Sequence, residues 1–126
     1  MTRLELLQKI KDRRKEIGIT IDNLSSISQL GTKTVSRFFT GADVKLSTVE
    51  RITKVLGLDF AGNEVINIKA LKEKRAEEKA LYIVSLVQDT SALEMQGLES
   101  NEIKSLIEDT KKQFLTGKYK NTLWIN

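Results

Sequence analysis

Residues 20–41 read TIDNLSSISQLGTKTVSRFFTG, and the folding of this stretch decides the architecture of the chain. Ile21, Leu24 and Ile27 repeat at three-residue steps, the spacing of one helix face. Gln29, Leu30 and Gly31 interrupt that pattern, and a second one starts at Thr32. There Val35, Phe38 and Phe39 fall on one side, with Thr32, Lys33, Ser36 and Arg37 on the other. Gly41 follows the last periodic residue, where a left-handed helix end suits glycine. Two short helices joined by a tight turn, the second polar and basic outside, make a helix-turn-helix pattern. A unit of this kind lays its second helix in the major groove of duplex DNA.

The same residues resemble the helix-turn-helix of phage lambda-type repressors and Cro, the XRE-type family that includes bacterial regulators and antitoxins. Leu24, Leu30, Thr34, Val35, Ser36, Arg37, Phe38 and Gly41 stand at matching places without an insertion, and the likeness runs from Leu4 to Leu58. The chain departs from the family pattern at Ser25, where alanine is preferred for close helix contact. It departs again at Gln29, where glycine usually takes the turn, and at Phe39, where an acidic residue is common. The resemblance implies a four- to five-helix lambda-repressor-like domain over residues 1–60. It also implies that Thr32, Lys33, Ser36 and Arg37 face DNA, and that Thr20 places helix amides against a phosphate. An arginine near Arg13 and Arg14 is implied to pack against the bundle beside an acidic partner. The side-chain chemistry agrees: arginine suits bidentate contact with guanine, and threonine suits a thymine methyl group or a phosphate. Lys45, in the following loop, is better placed for phosphate than for a base.

Working outward, residues 4–17 predict a first helix, with Leu6 or Leu7, Ile10 and Ile17 as its apolar stripe and KDRRKE as a solvated face. Gly18 ends it, and Thr20 is a sound cap for the next helix. Beyond Gly41, Ser47 with Glu50 three residues on has the spacing of a capping box. Leu46, Val49, Ile52, Val55 and Leu56 then form the stripe of a fourth helix, which Gly57 stops. Leu58 and Phe60 are expected to tuck in as a fifth, short element.

Residues 59–63 read as a linker, and 64–68 as helix or irregular chain rather than a strand. From Lys69 to about Gln96 the pattern is helical, first charged with i,i+4 pairing and then apolar on more than one face, so that it needs covering on several sides. Gly97 ends it, a last helix runs from Ser100 to Leu115, and the tail keeps Tyr119, Leu123, Trp124 and Ile125. The whole is expected to be all-α: a DNA-binding domain over 1–60, then a helical hairpin and aromatic tail over 61–126. The second part is expected to mediate dimerisation or partner binding through Tyr82, Leu86, Leu93, Phe114 and Trp124.

Composition narrows the function classes. Residues 1–60 carry 11 Lys/Arg against 7 Asp/Glu, while residues 61–126 carry 10 of each, so the net +4 lies wholly in the first half. That asymmetry favours nucleic acid as partner. With no cysteine and no histidine, the chain lacks thiolate chemistry and the commonest metal ligand and general base. Neither a phosphate loop nor a metal-spaced cluster is present, so an enzyme, a cofactor and a bound metal are not expected. No run approaches the roughly 18 apolar residues of a membrane span, and the expected location is cytoplasmic. The expected function is a dimeric, sequence-specific repressor reading an inverted repeat in double-stranded DNA. The alternative is an antitoxin whose second half neutralises a co-encoded toxin protein and which represses its own operon.

Overall fold

A computed structural model describes residues 2–93 and 100–126, with the side chains of 88–93 excepted. Among the described residues there are six α-helices, one short 3₁₀ turn and no strand. They are α1 (Arg3–Ile17), α2 (Ile21–Ser28), α3 (Thr32–Phe39), α4 (Leu46–Val55), α5 (Ile68–Leu93) and α6 (Ser100–Leu115), with the 3₁₀ turn at Lys120–Thr122. The expected stop at Gly97, and the stretch up to it from Glu94, lie outside the described residues. No described helix is long and apolar enough to cross a membrane.

Local chemistry sets the first helix boundaries. The Thr2 hydroxyl accepts the Glu5 amide and caps α1, and the Thr20 hydroxyl accepts the Asn23 amide and caps α2. Gly18 closes α1 in the left-handed region at φ 82°, its N–H donating to the Arg14 carbonyl. The fourth helix differs from expectation. It begins at Leu46, one residue before Ser47, with Lys45 extended at the cap position and no side-chain cap. The Lys45 carbonyl instead accepts the Thr48 and Val49 amides, which turns both of those residues inward. Leu46, pushed to the first helical position, projects past the packed layer and stays 70% exposed rather than joining the stripe.

The chain divides into two compact units, residues 1–71 with 124–126, and residues 72–123. The core of the first unit gathers Ile10, Ile19, Leu24, Val35, Ile52 and Leu56, all essentially sealed from solvent. Phe38 and Phe39 meet edge to face, 5.1 Å between ring centres, and the Arg14 guanidinium sits 5.4 Å above the Phe39 ring. Phe39 is therefore core.

The first unit runs past residue 60 because Arg13 reaches across it. Although it belongs to the KDRRKE run, Arg13 is 7% exposed. Its Nε donates to the Leu56 carbonyl at 2.9 Å and its Nη2 to the Ile66 carbonyl at 2.6 Å, while Nη1 pairs with Glu64 at 2.5 Å. The intervening chain is irregular, with a single bridge between Leu58 and Glu64. Gly57 sits at φ 71°, where an added Cβ would lie 3.1 Å from the Ile66 carbonyl oxygen, so only glycine fits this crossing. Leu58 is buried, but Phe60 is 44% exposed and does not tuck in. The Asp59 carboxylate accepts the Asn63 and Ala61 amides, both at 2.9 Å. These bonds, that of Asn63 foremost, hold it below the usual carboxylate range.

In the second unit, the buried line along α5 is Ala76, Ala80 and Val84, at four-residue steps, with Phe114 of α6 and Leu123 also buried. The Arg75 Nε donates to the Leu123 carbonyl and the Lys79 ammonium to the Thr122 carbonyl. Lys79 also lies 5.1 Å over the Phe114 ring. Burial pushes both cations below their ordinary pKa values. Tyr82 and Leu86 are exposed on the opposite flank of α5, and Leu81 and Val87, nearer the buried line, are exposed too.

Candidate nucleic-acid interface

Sequence alone makes α2 and α3 amphipathic, and their joint fixes which way each face points. Gln29 adopts a left-handed conformation at φ 58°, unusual for a residue with a side chain. Two side chains, Ser25 and Arg51, hold it there. The Ser25 hydroxyl donates to the Leu30 carbonyl, and the Ser28 hydroxyl donates back to the Leu24 carbonyl at 2.6 Å. Arg51 of α4 donates to the Gln29 carbonyl at 3.4 Å. Serine at position 25 is thus small enough for the helix contact and also a donor to the turn.

With the joint fixed, Val35, Phe38 and Phe39 are buried, and Thr32, Lys33 and Arg37 are exposed on α3. Ser36 is half-buried. Lys33 and Arg37, four residues apart, share one side of the helix. Next to that side lies a shallow groove lined by Thr34 and Arg37, by Lys45, and by Ser47, Thr48 and Arg51 of α4, with Leu30 and Val44 between them. Among the described residues its lining includes a single carboxylate, Asp43, and Arg3 pairs with it. Three cations therefore surround the groove, and its one anion already has a partner. The first turns of α3 and α4 both lack a side-chain cap, which leaves backbone N–H groups for an anion.

The predicted residues do not all meet. Arg37 and Lys45 line the groove, and Thr32 and Lys33 extend the exposed face at the start of α3. Thr20 is exposed at the start of α2, with its hydroxyl occupied by the Asn23 amide. Sequence reasoning missed Thr34, Ser47 and Arg51. Ser47 and Arg51 are four residues apart on α4, a spacing that could have flagged a polar stripe beside the apolar one.

Among the predicted contacts of the second half, Tyr82 is 65% exposed and Leu86 is also exposed. The Leu93 side chain lies outside the described residues. Phe114 is 4% exposed, held between Lys79 and the Tyr119 ring, so it is core and not a contact surface. Trp124 packs against the core of the first unit instead of projecting from a tail. Two residues on, the Asn126 side-chain amide donates to the Ser26 carbonyl at 3.3 Å.

No family model, no curated protein and no solved structure matches this chain. The functional reading accordingly rests on its own residues. Among those described, no three carboxylates come together in a group that could hold a metal ion.

Proposed function

We propose that the chain is a sequence-specific, dimeric DNA-binding regulator, most simply a repressor, which presents α3 to the major groove. One observation supports this reading above the rest. The α3 helix buries Val35, Phe38 and Phe39 and turns Thr32, Lys33 and Arg37 outward beside a groove lined by Lys45 and Arg51. In this reading Arg37 and Thr32 contact base edges. Lys45, Ser47, Arg51 and the uncapped start of α4 take phosphates, which position the protein without reading sequence. A second copy supplies the other half-site, meeting the first through the exposed Tyr82 and Leu86 side of α5, and the operator is an inverted repeat.

Selection from a randomised duplex pool tests the proposal. An inverted repeat with half-sites about one helical turn apart should be enriched. Arg37→Ala should weaken binding to it by about 1–3 kcal/mol while melting is unchanged, because Arg37 is exposed. Failure to enrich any duplex, or unaltered binding by Arg37→Ala, refutes the assignment.

The exposed apolar side of α5 also favours a second reading, in which a toxin protein occupies it and the chain is the antitoxin of the pair. Co-purification with the product of a neighbouring gene, lost in Tyr82→Ser, would support this reading over the plain repressor.

A further inference from the structure

Beside the α3–α4 loop, the first unit contains a cleft of about 260 Å³. Leu6 and Leu7 of α1, Phe38 of α3, Val49 of α4, Val44 of the loop and Phe60 form its walls. It exists because the loop supplies Gly41 and Ala42 where bulkier side chains would fill the space. Two large apolar residues on its lining, Leu46 and Phe60, are left in water although the core beside them is sealed. Among the described residues, the only charges on the lining are Arg3 and Asp43, which pair with each other.

We propose that this cleft is a binding site for a small uncharged, mostly apolar molecule of two-ring aromatic size. Volume sets the size: an apolar cavity of about 150 Å³ takes benzene, so one of this volume takes a second ring. Charge sets the class. An ionic ligand would find no net charge at the lining and would lose its hydration on entry. An uncharged one gains the burial of its own faces together with those of Leu46 and Phe60. Asp43 and Val44 line both the cleft and the groove, so an occupant props the loop that carries Lys45. The ligand site itself stands whether or not the chain binds DNA.

Indole is a suitable probe, titrated into the ¹⁵N-labelled full chain and followed by amide shifts. The expected result is saturable shifts centred on Leu6, Leu7, Ala42, Val44 and Val49, with nuclear Overhauser contacts from indole to the Leu7 and Val49 methyl groups. Ala42→Phe, which fills the cleft, should weaken binding by about tenfold or more, equal to about 1.4 kcal/mol. Phe60→Ser removes a half-exposed wall, leaves the core intact and should also weaken it, which keeps the test decisive if Ala42→Phe fails to fold. Three results overturn the proposal: no saturable shift at the solubility limit of indole, shifts centred elsewhere, or shifts indifferent to both substitutions. Shifts in the same residues on concentrating the free chain, without indole binding, would instead mark the face as a contact between copies.

Discussion

Replacing Arg13 with methionine should unfold the first unit more readily than any single change on its surface. The guanidinium loses two bonds to main-chain carbonyls, those of Leu56 at 2.9 Å and Ile66 at 2.6 Å. A bond from a charged donor contributes about 1.5–3 kcal/mol, and an orphaned buried acceptor costs a similar amount. Methionine keeps most of the stem packing and removes a buried charge, which returns part of that loss. The net cost is about 2–4 kcal/mol. Glu64 adds little, because its side chain is 52% exposed and can be rehydrated. Glu64→Gln should therefore cost under about 1 kcal/mol, and Arg13→Lys should fall between the two, since an ammonium cannot span both carbonyls. Trp124 is the only tryptophan and packs on the core of this unit, so its fluorescence in a urea titration reports the relevant transition. With a urea slope of about 1–3 kcal/mol/M, Arg13→Met should lower the midpoint by about 1–2 M. A change under about 0.5 kcal/mol, or a Glu64→Gln loss equal to that of Arg13→Met, would refute the assignment of the cost to the two carbonyls.

Lys45→Ala should weaken duplex binding almost equally for all sequences and reduce the slope of log K against log salt by about 1 per bound protomer. An unchanged slope in filter-binding titrations would remove Lys45 from the phosphate contacts. Gln29→Gly should raise stability by about 0.5 kcal/mol, because glycine occupies the left-handed region without strain, whereas Ser25→Ala should lower it by about 1 kcal/mol through loss of the Leu30 bond; thermal melts would show either sign reversed if the turn is not held as described. Asp59 has its folded pKa depressed by backbone donors, so its contribution is fully present above the unfolded value near 3.9 and is lost as pH falls through the lower, folded one. The difference in melting temperature between the native chain and Asp59→Ala should accordingly be constant near neutrality and shrink under acid conditions.

What the sequence could convey depended on whether the deciding interaction was local. Thr20, Gly18 and Gly57 set helix ends through bonds within a few residues, and those ends could be placed from the letters. The inward set Val35, Phe38 and Phe39 followed from helical period. Arg13 was harder. Its spacing from Ile10 and Ile17 puts it on the apolar stripe, but its partners are 43 to 53 residues away. A basic run reads as solvated until those carbonyls are in place. Leu46 failed in the opposite way, since it keeps the helical period but sits at the first position, beyond the layer that could cover it. Along α5 the period was weakest. Apolar residues occur all round, and only packing selects the small Ala76 and Ala80 for burial and leaves Tyr82 outside.

The joint between α2 and α3 shows how Ser25 and Gln29 fit together. A glycine at position 29 would meet the left-handed turn without help, but it would also leave the joint freer. Here glutamine takes that conformation and its cost is offset by donors from outside the turn: Ser25 to Leu30, and Arg51 of α4 to Gln29 itself. The bond from Arg51 ties the turn to the helix that also contributes Ser47 and Thr48 to the groove. The angle at which α3 would enter a duplex is thus coupled to the group proposed to take phosphates. Arg51→Ala removes both at once, whereas Arg37→Ala removes a contact and leaves the joint alone. A loss of binding by the first that exceeds its lost charge is what this coupling requires.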